Sequence, residues 1–113
     1  MRKTALALLT LIALALVAPA AAGPQLVYVS SPVPRGSYAT VRVRAASHVV
    51  CSIKVHYGAR TPITAPTLGS KGGLFAGIIQ WRWQMSPRST RGRWTIDISC
   101  GANGSLRTTF LIT

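Results

Sequence analysis

Beyond residue 24, hydrophobic and polar side chains alternate with a period of two in six segments, and turn-forming residues separate the segments. Strict alternation is the mark of a half-buried antiparallel strand, because successive side chains of a strand leave it on opposite faces. The first segment is Gln25 to Ser30, QLVYVS, followed by a loop, SPVPRGS, with two prolines and a glycine. In Tyr38 to Ala45, Ala39, Val41, Val43 and Ala45 share one phase, while Thr40, Arg42 and Arg44 share the other. In Cys51 to Tyr57, Cys51, Ile53, Val55 and Tyr57 read inward and Ser52, Lys54 and His56 outward. In Gly77 to Met85, the inward set is Ile79, Trp81, Trp83 and Met85, opposite Gln80, Arg82 and Gln84. Arg93 to Cys100 places Trp94, Ile96, Ile98 and Cys100 against Arg93, Thr95, Asp97 and Ser99. After the turn GANG, Leu106, Thr108, Phe110 and Ile112 are in phase. The stretch Gly58 to Gly77 is irregular and rich in proline and glycine, with at most a short edge strand expected near Thr67 and Leu68. No segment here keeps a helical period over two turns. Short strands at this spacing without intervening helices predict an all-β sandwich or barrel.

The pair Trp81 and Trp83 has two readings. Their phase is that of Ile79 and Met85, and Trp94 repeats the arrangement in the next segment, so the indoles are expected to fill a thin core. The other reading makes them a stacking platform for a sugar or a base. It would bury Gln80, Arg82 and Gln84 instead, which is costly for arginine.

The chain opens with a basic pair, Arg2 and Lys3, then an uncharged apolar run from Thr4 to Val17, then Pro19 and three alanines. That order is expected of a secretory signal peptide cleaved after Ala22, leaving one domain, 23–113. The alternative is an uncleaved anchor, but the apolar run is short for the roughly 20 residues a span needs. Export implies an oxidising compartment, so Cys51 and Cys100 are expected to form a disulfide rather than stand as two buried thiols. One cysteine begins a predicted strand and the other ends one; as antiparallel neighbours, these strands would bring the pair together.

Charge adds a separate constraint. Thirteen Lys and Arg face one acid, a net charge of +12. A protein of this kind is drawn to polyanions such as anionic glycopolymers, nucleic acid or acidic lipid. The bland alternative is that the cations only solvate sheet surfaces. Arg42, Arg44, Lys54, Arg82, Arg93 and Arg107 fall in outward phases and form the candidate polyanion-binding set. The sequence offers no clearly exposed aromatic for base stacking, so nucleic-acid binding would be nonspecific.

From Cys51 onward, with the preceding Tyr38 to Ala45 also fitting, the chain resembles a small immunoglobulin-like domain of bacterial secreted and surface proteins. The resemblance rests on YATVRVRA, CSIKVHYG, the Pro- and Gly-rich connection, GIIQWRWQM, RGRWTIDISC and TTFLIT. Where such domains often carry Pro-Gly ahead of the single tryptophan, this chain has Arg91-Gly92, and it is richer in arginine. The resemblance implies an immunoglobulin-like sandwich of about seven strands. It also implies a non-catalytic module, with binding or structural work at the cell envelope. It brings no catalytic residues. With the charge, the expected partner is an envelope protein or an anionic polymer; the runner-up reading is a cationic effector that binds anionic membranes, glycopolymers or extracellular nucleic acid.

Catalytic reagents are few. A single acid, Asp97, excludes a carboxylate pair, and no nucleophile elbow accompanies His48 or His56. Two histidines eight positions apart match no metal-ligand spacing, and the glycines of GSKGGLFAG lack the order of a phosphate-cradling loop. No enzyme activity, cofactor or metal is expected.

Overall fold

The computed structural model describes residues 23–72 and 77–113. The expected signal peptide, 1–22, lies outside the described residues. Among the described residues seven strands appear in order: β1 (Gln25–Val29), β2 (Tyr38–Ala45), β3 (Val50–His56), β4 (Lys71–Gly72), β5 (Gly77–Gln84), β6 (Gly92–Ser99) and β7 (Ser105–Ile112). They form two antiparallel sheets, β1-β2-β5 and β4-β3-β6-β7.

The inward phases of both sheets meet in one core. Ala39, Val41, Val43, Trp81, Trp83 and Met85 come from the three-stranded side, and Cys51, Ile53, Val55, Trp94, Ile96, Ile98, Phe110 and Ile112 from the other. Trp81 and Trp83 are 0 % and 1 % exposed, and Trp94 6 %. A buried indole needs a partner for its N–H. Trp81 Nε1 donates to the Gly69 carbonyl at 2.9 Å, Trp94 Nε1 to the Thr90 carbonyl at 2.8 Å, and Trp83 Nε1 to the Met85 sulfur at 3.1 Å. Trp83 meets Phe110 edge-on across the core, with ring centroids 5.9 Å apart. Tyr57 is only half-buried; its ring leans on Trp94 at the border of the core.

Cys51 and Cys100 are bonded to each other, with Cα atoms 4.1 Å apart. The β3–β6 ladder ends at Ser52 opposite Ser99, so the bridge is its next rung. The expected meeting of one strand's start with its neighbour's end is what the fold contains.

Two regions depart from simple alternation. Pro66–Leu68 is a turn of 3-10 helix rather than an edge strand, and the short strand lies further on, at Lys71–Gly72. Proline at the start of that turn has no N–H to give a ladder, and its fixed φ suits a helical turn. Gly72 then passes so close to the start of β3 that a Cβ there would collide with the Val49 carbonyl oxygen. The other departure lies between β1 and β2. After a cis Ser31–Pro32 bond, the chain crosses to the second sheet, where Val33 pairs in parallel with Ile112. Val33 N donates to the Leu111 carbonyl at 2.7 Å, and Thr113 N to the Val33 carbonyl at 3.0 Å. That crossover ties the edges of the two sheets at one end of the molecule.

Candidate functional site

The six candidate cations divide between opposite surfaces. Arg42 and Arg44 on β2 and Arg82 on β5 lie on the outer face of the three-stranded sheet. Lys54 on β3, Arg93 on β6 and Arg107 on β7 lie on the outer face of the four-stranded sheet. They do not form a single site, and the two faces differ in their electrostatics.

On the four-stranded face, register sets Lys54, Asp97 and Arg107 side by side across β3, β6 and β7. Arg107 Nε donates to Asp97 Oδ1 at 2.6 Å. His56, diagonal to Asp97, places Nε2 2.8 Å from Asp97 Oδ2 and Nδ1 2.6 Å from the Gly58 carbonyl oxygen. Both of these oxygens accept hydrogen bonds, so only the doubly protonated ring serves both. The bond to Asp97 is the main cause that raises the His56 pKa above 6.5, with the Gly58 carbonyl second. The Arg107 bond, then the His56 bond, holds the Asp97 carboxyl below its ordinary 3.8. With each ring nitrogen engaged, His56 has none left to accept a proton from a nucleophile. A shallow hollow lined by Lys54, His56, Arg60, Pro62 and Asp97 opens beside it. Arg93 is held by Thr109, with Nη1 3.1 Å from the hydroxyl oxygen.

The three-stranded face carries no acid. Register sets Tyr28, Arg42 and Gln80 in one row, Gln25, Arg44 and Ile78 in the next, and Thr40 opposite Arg82. Arg42 Nε donates to Gln80 Oε1 at 2.8 Å, and its guanidinium lies 5.4 Å from the Tyr28 ring centroid. Arg82 lies over the Tyr38 ring at 4.2 Å. These arginines are braced by neutral groups, an amide and two aromatic faces, and have no carboxylate partner.

Tyr28 and Tyr38 are the functional candidates that sequence reasoning missed, at 46 % and 52 % exposed. The signal for Tyr38 was present, since it shares the phase of Thr40, Arg42 and Arg44. For Tyr28 the signal was hidden. A bulge inserts Val27 between the pairs Leu26–Val43 and Tyr28–Arg42, and this turns Tyr28 outward where alternation would place it with Leu26.

Compared with known proteins, the chain matches no family model and no curated protein.

Proposed function

We propose that this chain is an exported, non-enzymatic module with an immunoglobulin-like sandwich, which binds an anionic polymer at the cell envelope or outside the cell. The immunoglobulin-like reading is supported by the strand order β1-β2-β5 against β4-β3-β6-β7 and by the crossing of the β1–β2 connection to the second sheet. It departs from antibody domains in its bridge, which joins two neighbours within one sheet instead of spanning the sandwich. The binding role rests on one observation: the candidate cations all stand on outer sheet faces, while the sole acid is already engaged by Arg107 and His56. The excess positive charge therefore lacks an internal partner and is available to an external anion. Export rests on the N-terminal pattern and the single bridge.

The test is retention of the purified protein on a sulfated or carboxylated polysaccharide matrix, against a neutral dextran matrix, as salt rises. Retention on the anionic matrix beyond about 0.15 M salt is expected of a dedicated surface. Release at or below that concentration would refute a binding role beyond nonspecific charge. Mass spectrometry of the exported protein is expected to find a chain beginning at Gly23.

A further inference from the structure

We infer that the outer face of the three-stranded sheet, centred on Arg42, Arg44 and Arg82, is a docking surface for a carboxylated or sulfated polysaccharide chain; this rests on the polymer-binding reading above. The face is acid-free, whereas the four-stranded face spends Arg107 and His56 on Asp97. Two of its guanidinium groups, those of Arg42 and Arg82, are also held in place before any ligand arrives. Gln80 accepts from Arg42 Nε, which leaves both terminal nitrogens of Arg42 to form a fork toward a carboxylate or sulfate. Tyr38 supports Arg82 from beneath, 4.2 Å away. Side chains fixed in this way lose less entropy on binding.

Spacing favours a chain over a point ligand. Arg42 and Arg44 stand two residues apart on one strand, about 7 Å. Arg82 lies diagonal to Arg42 across the β2–β5 ladder, about 7–8 Å away. Charges spaced across two adjacent strands suit a linear polymer with acidic groups at intervals. Between and beside them stand Thr40, Gln80, Gln84 and Gln25, hydroxyl and amide groups matched to sugar hydroxyls. Single-stranded nucleic acid is disfavoured because each tyrosine already has a guanidinium against its ring, where a base would stack. A bilayer is disfavoured because Ile78 is the only aliphatic residue in the outward register rows of β2 and β5. The exposed Leu26 and Val27 lie on the edge strand β1.

The experiment compares two charge-matched triple variants with the wild type, each first shown by circular dichroism and melting to fold. One is Arg42→Gln/Arg44→Gln/Arg82→Gln; the other is Lys54→Gln/Arg93→Gln/Arg107→Gln on the opposite face. Affinities are measured at about 0.15 M salt for heparin, polygalacturonate, an oligothymidine and phosphatidylglycerol vesicles. The first variant is expected to lose about 10- to 100-fold in affinity for heparin or polygalacturonate, and the second less than about 3-fold. Tyr28→Ala/Tyr38→Ala, which leaves the charge unchanged, is expected to lose about 3- to 10-fold because the guanidiniums are no longer supported. Equal losses in the two triple variants would overturn this docking face and leave the polymer-binding reading standing. Tighter wild-type binding to the oligonucleotide or the vesicles than to either polysaccharide would overturn the choice of ligand. Failure of the wild type to bind any of the four would overturn the polymer-binding reading itself.

Discussion

Replacing both cysteines, Cys51→Ala/Cys100→Ala, tests how a thin core is held together. The bridge joins positions 49 apart in sequence. In the folded state it adds little order of its own, because β3 and β6 are already paired from Ser52–Ser99 through His56–Thr95. Its effect must then fall mainly on the unfolded chain, where cutting it frees a loop that carries β3 to β6 and everything between. Loop-closure entropy for that length is about 4 kcal/mol. A domain of this size has a total stability of roughly 5–14 kcal/mol, so the loss is a large fraction of the whole. Near 100 residues each kcal/mol moves the melting temperature by about 4–8 °C, which predicts a fall of about 15–30 °C. The assay is thermal unfolding by circular dichroism, in parallel with wild type under strong reductant. Both samples are expected to melt together, and the double variant is expected to ignore the reductant. A fall of less than about 5 °C in both would refute the reasoning, because the unfolded chain would then already be constrained without the bridge.

Trp83→Ala removes a fully buried ring that meets Phe110 and bonds the Met85 sulfur; a loss of about 3–5 kcal/mol is expected in urea titration, and a value under 1 would mean the indole is not core. The His56–Asp97 pair predicts a pH window for stability. His56, raised above 6.5, contributes fully below that value and loses its contribution as pH rises through its folded pKa. Asp97, lowered below 3.8, contributes above that value and loses its contribution as pH falls through its folded pKa. Melting temperature should therefore plateau between about pH 4 and 6.5 and decline on both sides, and His56→Asn should flatten the alkaline limb and reduce the acid limb, which the Arg107 bond then carries. Gly72→Ala should detach β4, since the new Cβ meets the Val49 carbonyl oxygen; faster amide exchange at position 72 with little change in melting temperature is the expected readout.

The strands of the sandwich were legible because each buries one face, and burial writes itself into the chain as alternation. Val41, Val43 and Ile96 are inward for the same reason that their neighbours are charged or hydroxylated. The cysteine pairing was legible because phase and strand polarity agreed. Three features were not. The segment from Gly58 to Gly72 follows contacts, not a period: Ile63 N donates to the Val55 carbonyl, and Gly69 takes the Trp81 indole N–H. The Val27 bulge breaks the period locally, which concealed Tyr28. Most important for the site, alternation tells whether a side chain points out but not on which sheet it stands. Arg42 and Arg82 are 40 positions apart in the chain and diagonal neighbours in space, while Lys54, much closer to Arg42 in sequence, stands on the opposite surface. Sheet membership is decided by non-local pairing, which no window of sequence contains.

The uneven placement of the one acid links stability to binding. Between Lys54 and Arg107, Asp97 relieves the repulsion that these two cations would otherwise create on the four-stranded sheet. Nothing equivalent relieves Arg42, Arg44 and Arg82, whose mutual repulsion is only moderated by aromatic rings, an amide and solvent. A folded domain that keeps such a face at some cost is poised to gain from any anion that covers it. The gain is read as added stability: ligand at 100 times its dissociation constant contributes about 2.7 kcal/mol. That amount is comparable to what the bridge supplies. In this protein the sulfur link constrains the unfolded chain, whereas an anionic polymer would stabilise the folded one, and the two act on opposite sides of the same equilibrium.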